Sequence, residues 1–89
     1  MYIGEFTKQQ DEVELAIVSY AGLLSSETIT QVDVEPTGVS VDHVLSGNDV
    51  HLLVSGGGVE NVIRLTATTS KGRVLKDLLK VRIVSEDNA

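Results

Sequence analysis

Two histidines, His43 and His51, are the first residues to weigh for chemistry, because a neutral imidazole serves as metal ligand and as general base. They stand eight positions apart, which is no metal-ligand spacing, and the chain has no cysteine to add a thiolate. Asp42-His43 beside a serine imitates part of a hydrolytic triad, yet no Gly-x-Ser-x-Gly nucleophile turn is present. Ser55-Gly56-Gly57-Gly58 has the glycine density of a phosphate cradle. Such a cradle needs Gly-Lys-Ser/Thr leading into a helix; here Val59-Glu60-Asn61 follows, and the acid repels phosphate. The sequence therefore predicts no catalytic set, no cofactor and no metal. The histidines read as exposed strand or turn residues and the glycines as a loop between strands.

The charged residues offer contacts instead. Lys71, Arg73, Lys76, Lys80 and Arg82 form a basic stripe, and on a strand Lys76, Leu78, Lys80 and Arg82 share one parity. Such a row either meets an acidic surface or guards a sheet edge against aggregation. The net charge is −6, unevenly divided. Residues 1–49 hold Lys8 against nine acids, a net of −8, whereas residues 50–89 hold six bases and four acids, a net of +2. An acidic chain is a poor nucleic-acid ligand, because phosphate contacts need clustered Lys and Arg. The asymmetry lets one face of a protomer meet the opposite face of another, although two simply solvated surfaces have the same composition. No apolar run approaches the roughly 20 residues of a membrane-spanning helix. Glu5, Asp11, Glu12 and Glu14 interrupt the basic-then-apolar order of a signal peptide.

The elements that must position these residues are short strands. Val50-His51-Leu52-Leu53-Val54 and Ile63-Arg64-Leu65-Thr66-Ala67 alternate with a period of two, and we expect them to form a central hairpin across the glycine loop. Val13 to Tyr20 alternates too, with Val13, Leu15 and Ile17 on one side and Glu14, Ala16 and Val18 on the other; its β-branched residues favour a strand over a helix. One helical turn is expected around Leu23. Thr28 to Glu35 is a strand with Thr30, Val32 and Val34 on one face, ended by Pro36-Thr37-Gly38. Val39 to Leu45 follows, with Val39, Val41 and Val44 as its apolar side. Arg73 to Val84 carries Leu75, Leu79, Val81 and Ile83 on one parity, and Asp77 on that parity predicts a bulge or break near Asp77-Leu78. The expected core is Leu52, Val54, Leu65, Ala67, Val81 and Ile83.

Residues 1–12 read as a polar arm in which Tyr2, Ile3 and Phe6 are the large apolar groups. Two of the chain's three aromatics lie there, so the arm docks on a neighbour or on its own domain, or frays. The expected organisation is an N-terminal arm at 1–12, one all-β domain at 13–84 and a polar tail at 85–89. Six or seven short antiparallel strands at this spacing predict an immunoglobulin-like β-sandwich. The candidate interface residues are Tyr2, Ile3, Phe6, Lys71, Arg73, Lys76, Lys80 and Arg82.

The order of these signals resembles a family of small phage virion proteins of the fiber-tail adaptor type. The resemblance runs through Lys8 to Val18, Glu27-Thr28-Ile29, Pro36-Thr37-Gly38-Val39-Ser40-Val41 and Val54-Ser55-Gly56-Gly57. Its most specific motif is Thr66-Ala67-Thr68-Thr69-Ser70-Lys71-Gly72-Arg73. Where the family often has tryptophans, this chain has Ser19-Tyr20, Leu24 and Gln31-Val32. The resemblance implies a structural, non-enzymatic protein, made in the host cytoplasm and built into the virion. There it would join tail, neck, fibre or portal-associated components in several symmetric copies, without nucleic acid or membrane as partner. Capsid-surface decoration and a free-standing immunoglobulin-like adhesion domain are the alternatives. An adhesion site usually presents aromatic platforms or calcium carboxylate clusters, and these Ser-, Gly- and Asn-rich loops offer neither.

Overall fold

The computed structural model describes residues 2–24, 26–58 and 60–84, with Tyr2, Ile3 and Leu23 described by backbone alone. The expected tail at 85–89 lies outside the described residues. Seven strands follow in order: β1 (Tyr2–Gln9), β2 (Glu14–Ser19), β3 (Ile29–Thr37), β4 (Ser40–Ser46), β5 (Asp49–Ser55), β6 (Val62–Thr69) and β7 (Val74–Val84), with one 3-10 turn at Ala21–Leu23. They build a β-sandwich from a four-stranded sheet, β1-β7-β6-β3, and a three-stranded sheet, β2-β5-β4. The all-β expectation and the single helical turn near Leu23 both hold.

The core lies where the period-two pattern puts it. Val50, Leu52 and Val54 of β5 are fully buried against Ile63, Leu65 and Ala67 of β6, with Leu79 and Val81 of β7 beside them. Ile83, expected in the core, is half-buried at its margin. Burying one side of each central strand on the other supplies most of the hydrophobic stabilisation a chain of this length can gather.

Several local expectations need correction. The two central strands are not a hairpin: β5 pairs with β2 and β4, whereas β6 pairs with β3 and β7. The glycine run crosses from one sheet to the other, so each strand buries its apolar side on the opposite layer rather than on a hydrogen-bonded neighbour. Residues 2–9, read as an arm, form a strand that runs parallel to β7 from Tyr2↔Leu78 to Gln9↔Val84. β7 is unbroken at Asp77, with continuous β6 pairing from Val62↔Lys80 to Thr68↔Val74. The irregularity sits instead in β1, between Tyr2 and Gly4. β3 does not stop at Pro36, which pairs opposite Ile63; an edge strand can leave the imide side of a proline facing outward. In β4, Leu45 packs against the core and Val44 points out.

Side chains tie the loops at both ends. Lys8 is buried, and its ammonium donates to the carbonyls of Gln9 (2.6 Å), Gln10 (3.2 Å) and Gly56 (2.7 Å). Three acceptors compensate for taking that cation out of water. Gly38 (φ +81°) packs so closely that a Cβ there would lie 2.0 Å from the Glu60 carbonyl oxygen. At the other end, the Glu27 carboxylate accepts from Thr69 Oγ1 (2.7 Å) and from Arg73 Nε (2.9 Å) and Nη2. Lys71 Nζ donates to Ser26 Oγ at 2.8 Å.

Candidate interface surfaces

The outward side of each strand decides what the sandwich shows its surroundings. On the three-stranded sheet the middle of that side is apolar. Glu14, Ala16 and Val18 of β2 turn inward, so the larger Leu15 and Ile17 point out, each 54% exposed. Leu15 pairs across from Leu53 of β5, which is 47% exposed, and Ile17 pairs across from His51. His51 in turn faces Val44 of β4, which is 64% exposed. These four apolar side chains on three adjacent strands, with exposed Val13 just before β2, gather into a patch bordered by exposed Asp42, which stands across from Leu53. Four large apolar groups gathered on one sheet face differ from the isolated exposed leucines of any protein surface.

The four-stranded sheet shows charge. Lys76, Lys80 and Arg82 of β7 are exposed with Arg64 of β6, flanked by Glu5 of β1 and by Asp33 and Glu35 of β3. Lys80 pairs across from Glu5, and Arg64 across from Glu35. The basic stripe is thus the middle of a mixed face with acids on both edge strands.

A third feature opens along one side of the sandwich. β1 and β2 are the edge strands of their respective sheets there. Between them runs a groove of about 420 Å³, lined by Leu15 to Ser19 of β2, by Phe6 of β1, by Asp77 and Leu79 of β7, and by Tyr20. Tyr20 is 1% exposed and Asp77 8%. Burial first, and then the neighbouring Asp77 carboxylate, push the Tyr20 phenol far above the ordinary tyrosine value. The carboxylate is near enough to act on the phenol. Even so, neither Tyr20 Oη nor Asp77 Oδ2 makes a hydrogen bond of normal geometry to any described group.

The sequence-derived interface residues fall in different places. Lys76, Lys80 and Arg82 stand together on the charged face. Lys71 and Arg73 lie at the β6–β7 turn, where they bond Ser26 and Glu27 and fasten the segment before β3. Arg73 and Thr69 hold the Glu27 carboxyl below its ordinary range. Phe6 is half-buried and packs on the core beside the groove. The side chains of Tyr2 and Ile3 lie outside the described residues. His43 and His51 occupy adjacent strands in opposite parities, His43 across from inward Leu52 and His51 across from outward Val44. Among the described residues, no three His, Asp or Glu side chains gather to hold a metal ion. Sequence reasoning missed the apolar face and the groove. The sequence shows apolar residues on both sides of β2, Leu15 and Ile17 on one and Ala16 and Val18 on the other, but not that the larger pair faces out.

Residues 8–82 match the family model described as Podophage GP4 fiber-tail adaptor protein gp77. Among curated proteins, none matches the chain. A seven-stranded sandwich whose matched region begins at the buried Lys8 and ends at Arg82 of β7 belongs to the podophage fiber-tail adaptor family, and the chain is a structural adaptor component of a tailed phage particle.

Proposed function

We propose that this adaptor joins two larger components of the virion through its two chemically different outer faces. The observation that carries the reading is the patch of Leu15, Ile17, Val44 and Leu53, left in water by a sandwich with its own core filled. Covering those side chains on a tail or fibre protein gains roughly 25 cal/mol for each Å² of apolar surface removed from water. The charged face, with Lys76, Lys80 and Arg82 between Glu5 and Asp33, supports a second, more polar contact. Exposed charge pairs contribute about 0–1 kcal/mol each, so this contact sets orientation more than affinity. Adaptor copies placed side by side in a symmetric tail need one patch to meet a different patch, and two unlike faces meet that requirement. The sandwich reads as immunoglobulin type, since β2-β5-β4 and β7-β6-β3 keep the order of strands B-E-D and G-F-C of such domains.

The test is incorporation. The full chain, carrying a photo-crosslinker at Leu53, is added to particles of its phage assembled without it. The reading expects the chain to sediment with the particles and to crosslink to one tail or fibre protein. Sedimentation apart from the particles, or crosslinks only to a capsid protein, would overturn it.

A further inference from the structure

We infer that the open side of the sandwich, along β2, is a binding groove for an extended apolar segment of a partner virion protein that carries one lysine or arginine. The inference rests on the adaptor reading above. It concerns the edge of the three-stranded sheet rather than its face.

β2 ends its sheet, so every other peptide of Glu14–Ser19 turns its N–H and C=O away from β5. Edge strands are normally protected by proline, lysine, a bulge or a covering element. β2 has no proline, no lysine and no register shift against β5, and its one charge, Glu14, stands at its first residue and leaves Leu15 to Ser19 uncharged. Its counterpart β3 has Pro36, Asp33, Glu35 and a register shift between Ile29 and Gln31. The groove follows β2, which contributes five consecutive lining residues, Leu15 to Ser19, against the single Phe6 of β1. At about 3.4 Å per residue, a strand laid along the six residues of β2 spans roughly 20 Å and turns about three side chains into the groove. Ala16, Val18, Phe6 and Leu79 suit apolar side chains there.

The polar groups specify the occupant further. Asp77 Oδ2 and Tyr20 Oη line the groove side by side, buried, and neither makes a hydrogen bond of normal geometry to any described group. A buried carboxylate with only a poorly aligned phenol beside it and no described cation bonded to its Oδ2 is a costly arrangement that an incoming lysine or arginine relieves. A second copy of this chain cannot supply one through β2. Its inward residues are Glu14, Ala16 and Val18, so pairing two β2 strands would bring Glu14, another acceptor, toward Asp77. A segment with alternating apolar residues and one lysine or arginine on the inward parity satisfies the edge, the apolar walls and the carboxylate together. This is strand addition with a charged register mark.

The experiment uses the full chain and particles of its phage assembled without it. Hydrogen exchange of the chain is compared free and docked, for the parent and for Asp77→Asn. In the parent, amides of residues 14–19 should slow at least tenfold on docking, while those of 40–46, on the other edge of the same sheet, change little. Asp77→Asn should melt no lower than the parent, because it removes a buried charge and keeps a side-chain oxygen beside the Tyr20 phenol, yet its docking should weaken at least tenfold. A merely structural Asp77 would give lower melting together with weaker docking, which overturns the proposal. Docking with residues 14–19 still exchanging freely, or with Asp77→Asn equal to the parent, overturns it while leaving the adaptor reading intact. Protection of 14–19 in the free chain through self-association would make a second copy the occupant and equally overturn it. Failure of the parent chain to dock at all would count against the adaptor reading itself.

Discussion

The two outer faces of this sandwich are built by the same period-two rule and come out opposite. On β7, Leu75, Leu79 and Val81 turn inward and Lys76, Lys80 and Arg82 outward, as in a sheet with one wet side. On β2 the alternation is as regular, but the inward side chains are Glu14, Ala16 and Val18 and the outward ones Leu15 and Ile17. Periodicity sets which residues share a face; it does not set which face meets the core. That choice depends on the opposing layer. The groove side beneath β2 already holds Phe6, Tyr20 and Leu79, and small inward residues accommodate them. The larger apolar residues are left outside.

The largest effect should come from removing what both faces share. Deleting residues 1–10 takes β1 off β7 and removes the Lys8 ammonium from the carbonyls of Gln9 and Gly56. In a domain with a stability of only about 5–15 kcal/mol, that deletion should leave no cooperative thermal transition. A truncated chain that melts near the parent would show that β1 is dispensable and that the N-terminal segment does not dock firmly on its own domain.

Next comes the layer between the faces. Leu65→Ala empties a fully buried site of β6 and should cost about 2–5 kcal/mol, read from chemical denaturation. Gly38→Ala adds a Cβ 2.0 Å from the Glu60 carbonyl oxygen at a positive φ. It should cost at least about 1–3 kcal/mol, through strain and displacement of the glycine crossover. A Gly38→Ala protein as stable as the parent would mean that the Pro36–Gly38 turn and the crossover do not pack as described.

A smaller effect depends on pH. Glu27 has a folded-state pKa below its ordinary value near 4.5, because Arg73 and Thr69 bond the charged form. A depressed pKa contributes stability that is fully present above the unfolded value and is lost as pH falls through the folded one. Thermal melts from pH 6 downward should therefore fall more steeply below about pH 4.5 in the parent than in Glu27→Gln. Parallel curves would remove Glu27 from the acid response and weaken the role of Arg73 as a loop tie.

Much of this architecture is legible in the sequence. The alternation in 50–54, 63–67 and 73–84 locates β5, β6, β7 and most of the core, and Thr69 to Arg73 marks a tight turn. Three things are not legible, each because it depends on contacts distant in the chain. The glycine run reads as a hairpin because local turn chemistry cannot tell a hairpin from a crossing between layers. Residues 2–9 read as an arm because β1 is short of large alternating apolar residues and is held by parallel pairing to the far end of the chain. Asp77 reads as a strand break because a carboxylate on a core parity is normally excluded. It stays in register facing Tyr20, along the side where the two sheets stand open.

The most direct measurement compares the faces in assembly. Two double variants, Ile17→Lys/Leu53→Lys on the apolar face and Lys80→Glu/Arg82→Glu on the charged face, alter exposed side chains and should each leave stability within about 1 kcal/mol of the parent. Incorporation into particles assembled without the adaptor should drop to background for the apolar-face variant and fall only several-fold, with altered salt dependence, for the charged-face variant. If the apolar-face variant is folded and incorporates as well as the parent, the patch of Leu15, Ile17, Val44 and Leu53 does not join the adaptor to its particle.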